Sequence, residues 1–258
     1  PRDEQPGACR VTLGCMSLAL RLKCDVGSIA WIYSNSQVEI MTQVKICGIT
    51  RLDDARHAAQ VGADMIGLNF FKRSPRYITP DDAKQLVMSL SAELGEGCPL
   101  FIGIFANASA DDVWWTMNRV GLSFVQLSGD ESLDVLTALN GKAYKAIRPQ
   151  SPEMAQDDMQ YYANATPADT RIPSLLLDAH HPDFYGGTGQ EAAADTIMAI
   201  KAQVARLMLA GGLTPDNVAE RVQSYQPWGV DVASGVEDDT PGVKNPDKVA
   251  AFIKAAKG

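Results

Sequence analysis

Two rhythms of apolar residues alternate along most of this chain. Short apolar runs recur, and between them apolar residues return at every third or fourth position. The first pattern marks buried strands and the second marks amphipathic helices. Strands are predicted at 44–47, 63–70, 100–105, 124–127, 143–147, 174–177, 207–210 and 229–232. Helices are predicted at 52–61, from Thr79, from Ser109, at 132–139, 152–163 and 192–204, from Thr214, and at 246–256. Thr79, Ser109 and Thr214 are residue types that cap helix N-termini. Pro80 and Pro215 follow two of them, at the first helical position, where the absent N–H has no partner to lose.

Strand–helix alternation implies a parallel sheet, and eight βα units favour closure into a single-domain (β/α)8 TIM barrel. These units fill residues 41–258. Residues 1–40 differ. Their charges cancel, and the apolar stretch 11–20 is broken by Arg21 and Lys23. No small-residue cleavage site follows it. The chain begins at Pro1, and Met41 directly precedes the first strand. The expectation is a non-barrel N-terminal extension ahead of a functional start at Met41. That extension would be read-through, an expression scar or the remnant of a fused neighbour.

The formal net charge is −8 over 258 residues, and the acidic excess lies beyond residue 40. This argues against nucleic acid or an anionic membrane as the main partner. No apolar run approaches the roughly 20 residues of a membrane span. There are five cysteines, three of them before Met41. They form neither a disulfide framework nor a C-x-x-C pair, which points to a reducing, cytoplasmic compartment.

Candidate chemistry gathers at predicted strand ends. In Val44-Lys45-Ile46-Cys47-Gly48, alternation puts Val44 and Ile46 on one face and Lys45 and Cys47 on the other. If helices cover the first face, Lys45 and Cys47 point into the barrel, with Cys47 at the carboxyl end of the strand. Parallel α/β folds place their chemistry there. A free cysteine is by default a small buried residue, so its neighbours decide. Asp178 ends the sixth strand and shares a face with Leu176. A thiol and a carboxyl facing one cavity form an acid–base pair. Arg76, in the loop after strand two, has the fork geometry to clamp a carboxylate. Gln126 and Ser128 share a face of strand four and offer hydrogen bonds to a ligand. Gly186-Gly187-Thr188-Gly189, Gly211-Gly212 and Ser234-Gly235 follow strands six, seven and eight. Their backbone N–H groups can converge on a phosphate, with Gly187, Gly211, Gly212, Ser234 and Gly235 as the contacts. His180 and His181 complete no metal set and read as solvent-facing. A buried Lys45 needs an anionic partner. Asp231, on the strand that pairs with the first when the barrel closes, is the expected one.

These blocks, in this order, resemble the phosphoribosylanthranilate isomerases of tryptophan biosynthesis. The likeness runs from Val44 to about Gly258. It includes Lys45-Ile46-Cys47-Gly48-Ile49-Thr50, Ser74-Pro75-Arg76-Tyr77, Val125-Gln126-Leu127 and Leu177-Asp178. It continues through Gly211-Gly212-Leu213-Thr214-Pro215-Asp216-Asn217-Val218 and Asp231-Val232-Ala233-Ser234-Gly235-Val236-Glu237. The resemblance implies a barrel that needs no cofactor and no metal. It implies a small phosphosugar substrate carrying an aromatic carboxylate, whose ribose ring is opened by an Amadori rearrangement. Cys47 would be the general base, Asp178 the general acid and Arg76 the carboxylate contact. A base of this kind works as a thiolate, so the site is expected to lower the Cys47 pKa. A monomer is expected, with a dimer as the alternative. Two positions depart from the family pattern. Ser128 stands where a histidine is common, and Glu191-Ala192-Ala193-Ala194-Asp195 where Phe-Asp-Trp is common. The competing readings are the sister isomerase of histidine synthesis, which uses two aspartates, and a non-catalytic phosphosugar-binding barrel.

Overall fold

A computed structural model describes residues 41–149, 151–162, 165–178 and 188–258, the side chains of 188–193 excepted. Strands and helices alternate as β1 (Gln43–Ile46), α1 (Leu52–Gln60), β2 (Met65–Asn69), α2 (Pro80–Leu94), β3 (Leu100–Phe105), α3 (Ala110–Val120), β4 (Phe124–Leu127) and α4 (Leu133–Ala138). They continue as β5 (Ala143–Ile147), α5 (Pro152–Tyr162), β6 (Leu175–Asp178), α6 (Thr188–Lys201), β7 (Leu207–Ala210), α7 (Val218–Tyr225), β8 (Gly229–Val232) and α8 (Pro246–Lys257). Each strand pairs in parallel with the next, and β1 pairs with β8, closing the barrel.

Alternation sorts the side chains into two layers. Val44, Ile46, Val230 and Val232 pack outward against helix residues such as Ala55, Ala58, Phe252 and Ile253. Leu175, Leu177, Leu207 and Leu209 do the same against Ile197 and Ile200. The other face fills the barrel with Met65, Ile102, Phe124, Tyr144, Ala146, Leu176 and Met208. Burying one such side chain stabilises by about 1.5–3 kcal/mol. Lys45 and Asp231 belong to the inward face, and their Cα atoms are partners in the β1–β8 ladder.

Helix starts follow local chemistry. The Thr79 and Ser109 side chains accept from the N–H groups of Asp82 and Asp112. Asn245 caps α8 in the same way, from Lys248 N. The predicted start at Thr214 is corrected. There the Asn217 side chain accepts from Thr214 N (2.8 Å) and donates to the Gly212 carbonyl (3.0 Å). This closes a turn first, and α7 begins at Val218. Helix α6 begins at Thr188, not at Ala192. The end of the glycine-rich stretch is thus its first turn, where backbone N–H groups lack helical partners in any case. β2 is shorter than 63–70, and β1 ends at Ile46. Cys47 still joins the sheet, its N–H donating to the Val232 carbonyl at 2.8 Å.

Candidate active site

One cavity of about 920 Å³ opens at the carboxyl ends of the strands. Cys47, Arg76, Gln126, Ser128, Asp178, Gly211, Gly212, Ser234 and Gly235 all line it. Of the predicted site residues, Gly187 lies outside the described residues, as do His180 and His181.

The floor is a polar network around a fully buried lysine. Lys45 Nζ donates to Gln126 Oε1 (2.7 Å), to Asp231 Oδ1 (3.1 Å) and to Cys47 Sγ (3.5 Å). Tyr144 Oη donates to the same Gln126 oxygen (3.1 Å), and Gln126 Nε2 donates to Ser128 Oγ (3.0 Å). Both ends of the Gln126 amide are therefore engaged with protein. Burial alone would discharge Lys45, but the anionic charge of Asp231 beside it, with Cys47 and Tyr144, holds it above the usual lysine range. The expected depression of the Cys47 pKa is corrected. Burial pushes the thiol up, the Asp231 carboxylate adds to this, and Lys45 and Lys244 oppose both.

Asp178 follows Leu176 by two positions on the inward face and reaches the same cavity. Arg148 Nε donates to Asp178 Oδ2 at 2.8 Å. Arg148 was missed in the sequence, although it continues the inward parity of Tyr144 and Ala146. Arg76 is clamped already: its Nε and Nη2 donate to the two oxygens of Glu237, both at 2.7 Å. A carboxylate ligand must meet the remaining edge of the guanidinium or displace Glu237. Glu237 Oε1 also accepts from Lys244 Nζ (2.8 Å) and from Gly242 N (3.0 Å). Burial would raise the Glu237 pKa, but Arg76 and Lys244 hold it below the usual carboxylate range.

The rim after β7 and β8 is backbone. Gly211 and Gly212 both adopt positive φ (94° and 64°), a region costly for other residues. Ser234–Val236 form a 3-10 turn. A Cβ at Gly235 would strike the Leu213 carbonyl oxygen, so the loops after β7 and β8 touch only because this residue is glycine.

A second buried pair braces the loop after β4. Lys145 Nζ donates to Glu131 Oε2 (2.9 Å) and to the Gly129 carbonyl. Glu131 accepts from the N–H groups of Asn107 and Gly129. The visible signal was a lysine inside an otherwise apolar strand. Among the described residues no cluster of three His, Cys, Asp or Glu side chains could hold a metal ion. No described helix is long and apolar enough to cross a membrane.

The model of the family described as N-(5'phosphoribosyl)anthranilate (PRA) isomerase matches residues 44–255. N-(5'-phosphoribosyl)anthranilate isomerase of Geotalea uraniireducens is 43% identical over 221 residues, 84% of this chain and 100% of that protein. The crystal structure of phosphoribosyl anthranilate isomerase from Thermotoga maritima superposes with a TM-score of 0.72 at 33% identity, covering 84% of this chain and 100% of that one. A phosphoribosyl anthranilate isomerase in complex with reduced 1-(o-carboxyphenylamino)-1-deoxyribulose 5-phosphate gives a TM-score of 0.70 at 31% identity, with the same coverage.

Proposed function

This chain belongs to the N-(5'-phosphoribosyl)anthranilate isomerase family of tryptophan biosynthesis, and on that premise we propose the chemistry and the residues that carry it. The substrate is N-(5-phosphoribosyl)anthranilate and the reaction an Amadori rearrangement to 1-(2-carboxyphenylamino)-1-deoxyribulose 5-phosphate. Ring opening needs a proton on the ribose ring oxygen as its C–O bond breaks. The iminium so formed acidifies the neighbouring C–H, and a base removes that proton to give the enamine. Asp178 is the acid and Cys47 the base. Their placement supports this: they line one cavity from the ends of β6 and β1, apart around its rim. Arg148 shares Asp178 but is 63% exposed along its side chain, so substrate anions can compete for it. The phosphate is assigned to backbone N–H groups of Gly211, Gly212, Ser234 and Gly235. The anthranilate carboxylate is assigned to Arg76.

The observation that carries this reading is the meeting of Cys47 and Asp178 in one cavity beside the glycine turns after β7 and β8. Every assigned group belongs to one barrel, so a monomer suffices. The free thiols Cys47 and Cys98 suit a reducing, cytoplasmic setting. Complementation of a tryptophan auxotroph lacking only this step tests the reading. Growth with the wild-type chain but not with Cys47→Ala is expected. Equal growth with both contradicts the residue assignment, and growth with neither contradicts the activity.

A further inference from the structure

We infer that Lys45 is a positioning residue that favours the anionic form of the reacting Cys47 sulfur against its burial, a role resting on the proposed assignment of Cys47 as the base. Its ammonium has three hydrogens and three acceptors in reach. Two are Gln126 Oε1 at 2.7 Å and Asp231 Oδ1 at 3.1 Å. The third is Cys47 Sγ at 3.5 Å. Of the three, the Cys47 contact is the one that reaches the proposed reacting atom. Lys45 is fully buried, and a buried ion pair often stabilises a fold no better than apolar packing of the same volume. Its charge therefore calls for a further use.

Charges of both signs surround the sulfur. Lys45 faces Cys47 from its own strand and Asp231 faces it from β8. Lys244 approaches from the β8–α8 connection and Arg76 from the β2–α2 connection. Tyr144 of β5 reaches the network through Gln126. Glu237 stands behind Arg76 and Lys244 and pairs with both. Asp178 of β6, paired with Arg148, adds negative charge beside Asp231, and burial draws the Lys244 pKa down. Lys45 is the cation within hydrogen-bond reach of the sulfur. Burial and Asp231 oppose a thiolate at Cys47, while Lys45 is its nearest cationic support.

The test is alkylation of the full chain by iodoacetamide from pH 6 to 10, followed peptide by peptide with mass spectrometry. Cys98 in the same samples is the control. Lys45→Met should move the Cys47 midpoint up by about one pH unit or more, as loss of an opposite charge at this range does. Asp231→Asn should move it down, because a repelling carboxylate is gone while Lys45 remains. The Cys98 midpoint should not move. A midpoint unchanged in either folded variant, or moving the same way in both, overturns the inference. If Lys45→Met does not fold, the direction in Asp231→Asn decides. Alkylation needs no substrate, so failure of the base assignment is read separately, from turnover of Cys47→Ala.

Discussion

The Arg76 guanidinium has one edge already committed to an acid. Glu237 takes its Nε and Nη2, which fixes the guanidinium plane over the end of β1 before any substrate arrives. Arg76→Ala should weaken binding of the anthranilate-bearing ligand by tenfold or more while leaving ribose 5-phosphate nearly unaffected. Calorimetric titration of both ligands checks this, and equal losses would contradict the division. Glu237→Gln should destabilise by about 2 kcal/mol at neutral pH, less than a sealed pair because the cavity mouth admits solvent. The sign with pH follows from its depressed folded-state pKa. Stability from Glu237 is fully present above its unfolded value, near 4.3, and is lost as pH falls through the lower folded value. The gap between wild type and Glu237→Gln should thus narrow as the pH falls below the unfolded value and through the lower folded one, as urea denaturation would show. A gap that widens would contradict it.

At the scale of elements, the site depends on loops that only particular residues allow. Gly235 lets the loops after β7 and β8 touch, since a Cβ would meet the Leu213 carbonyl. Gly235→Ala should push them apart and cost at least tenfold in ribose 5-phosphate affinity, with about 1–3 kcal/mol of stability lost to overpacking. Titration alongside thermal unfolding measures both, and unchanged affinity would remove these loops from the phosphate site. Strand parity made much of this legible beforehand. Val44 and Ile46 out, Lys45 and Cys47 in, and Leu176 followed by Asp178 are consequences of a period of two. The Lys45–Asp231 contact also follows, because closure makes β1 and β8 neighbours. The start of α7 was not legible. Asn217 stands at the N-cap position without a side-chain cap bond, because its amide is spent on the preceding turn, on Thr214 N and the Gly212 carbonyl. Lys244, Glu237 and Glu131 were missed for a similar reason: loop residues find partners through chain paths that no periodicity records.

At the scale of the molecule, the barrel was readable because eight strand–helix repeats leave a parallel sheet few ways to hide both faces. The sign of the Cys47 shift was not readable, since it depends on a contest among burial, Asp231, Lys45 and Lys244 that only three dimensions define. We propose that residues 1–40 take no part in the activity. The family match starts at residue 44, and 84% of this chain is enough to cover the whole length of a 43% identical relative. A chain beginning at Met41 should keep its turnover and unfold within about 1 kcal/mol of the full chain. A larger loss in urea denaturation would give the extension a role in the barrel. The central claim is that Cys47 and Asp178 act on N-(5-phosphoribosyl)anthranilate as base and acid. Its most direct test is the rate at which the purified full chain consumes that substrate, followed by the change in anthranilate fluorescence, for wild type, Cys47→Ala and Asp178→Asn. The account predicts rapid turnover in the wild type and a loss of at least ~10² in each variant, with ribose 5-phosphate affinity within a few-fold. Near-normal turnover in Cys47→Ala or in Asp178→Asn would contradict it.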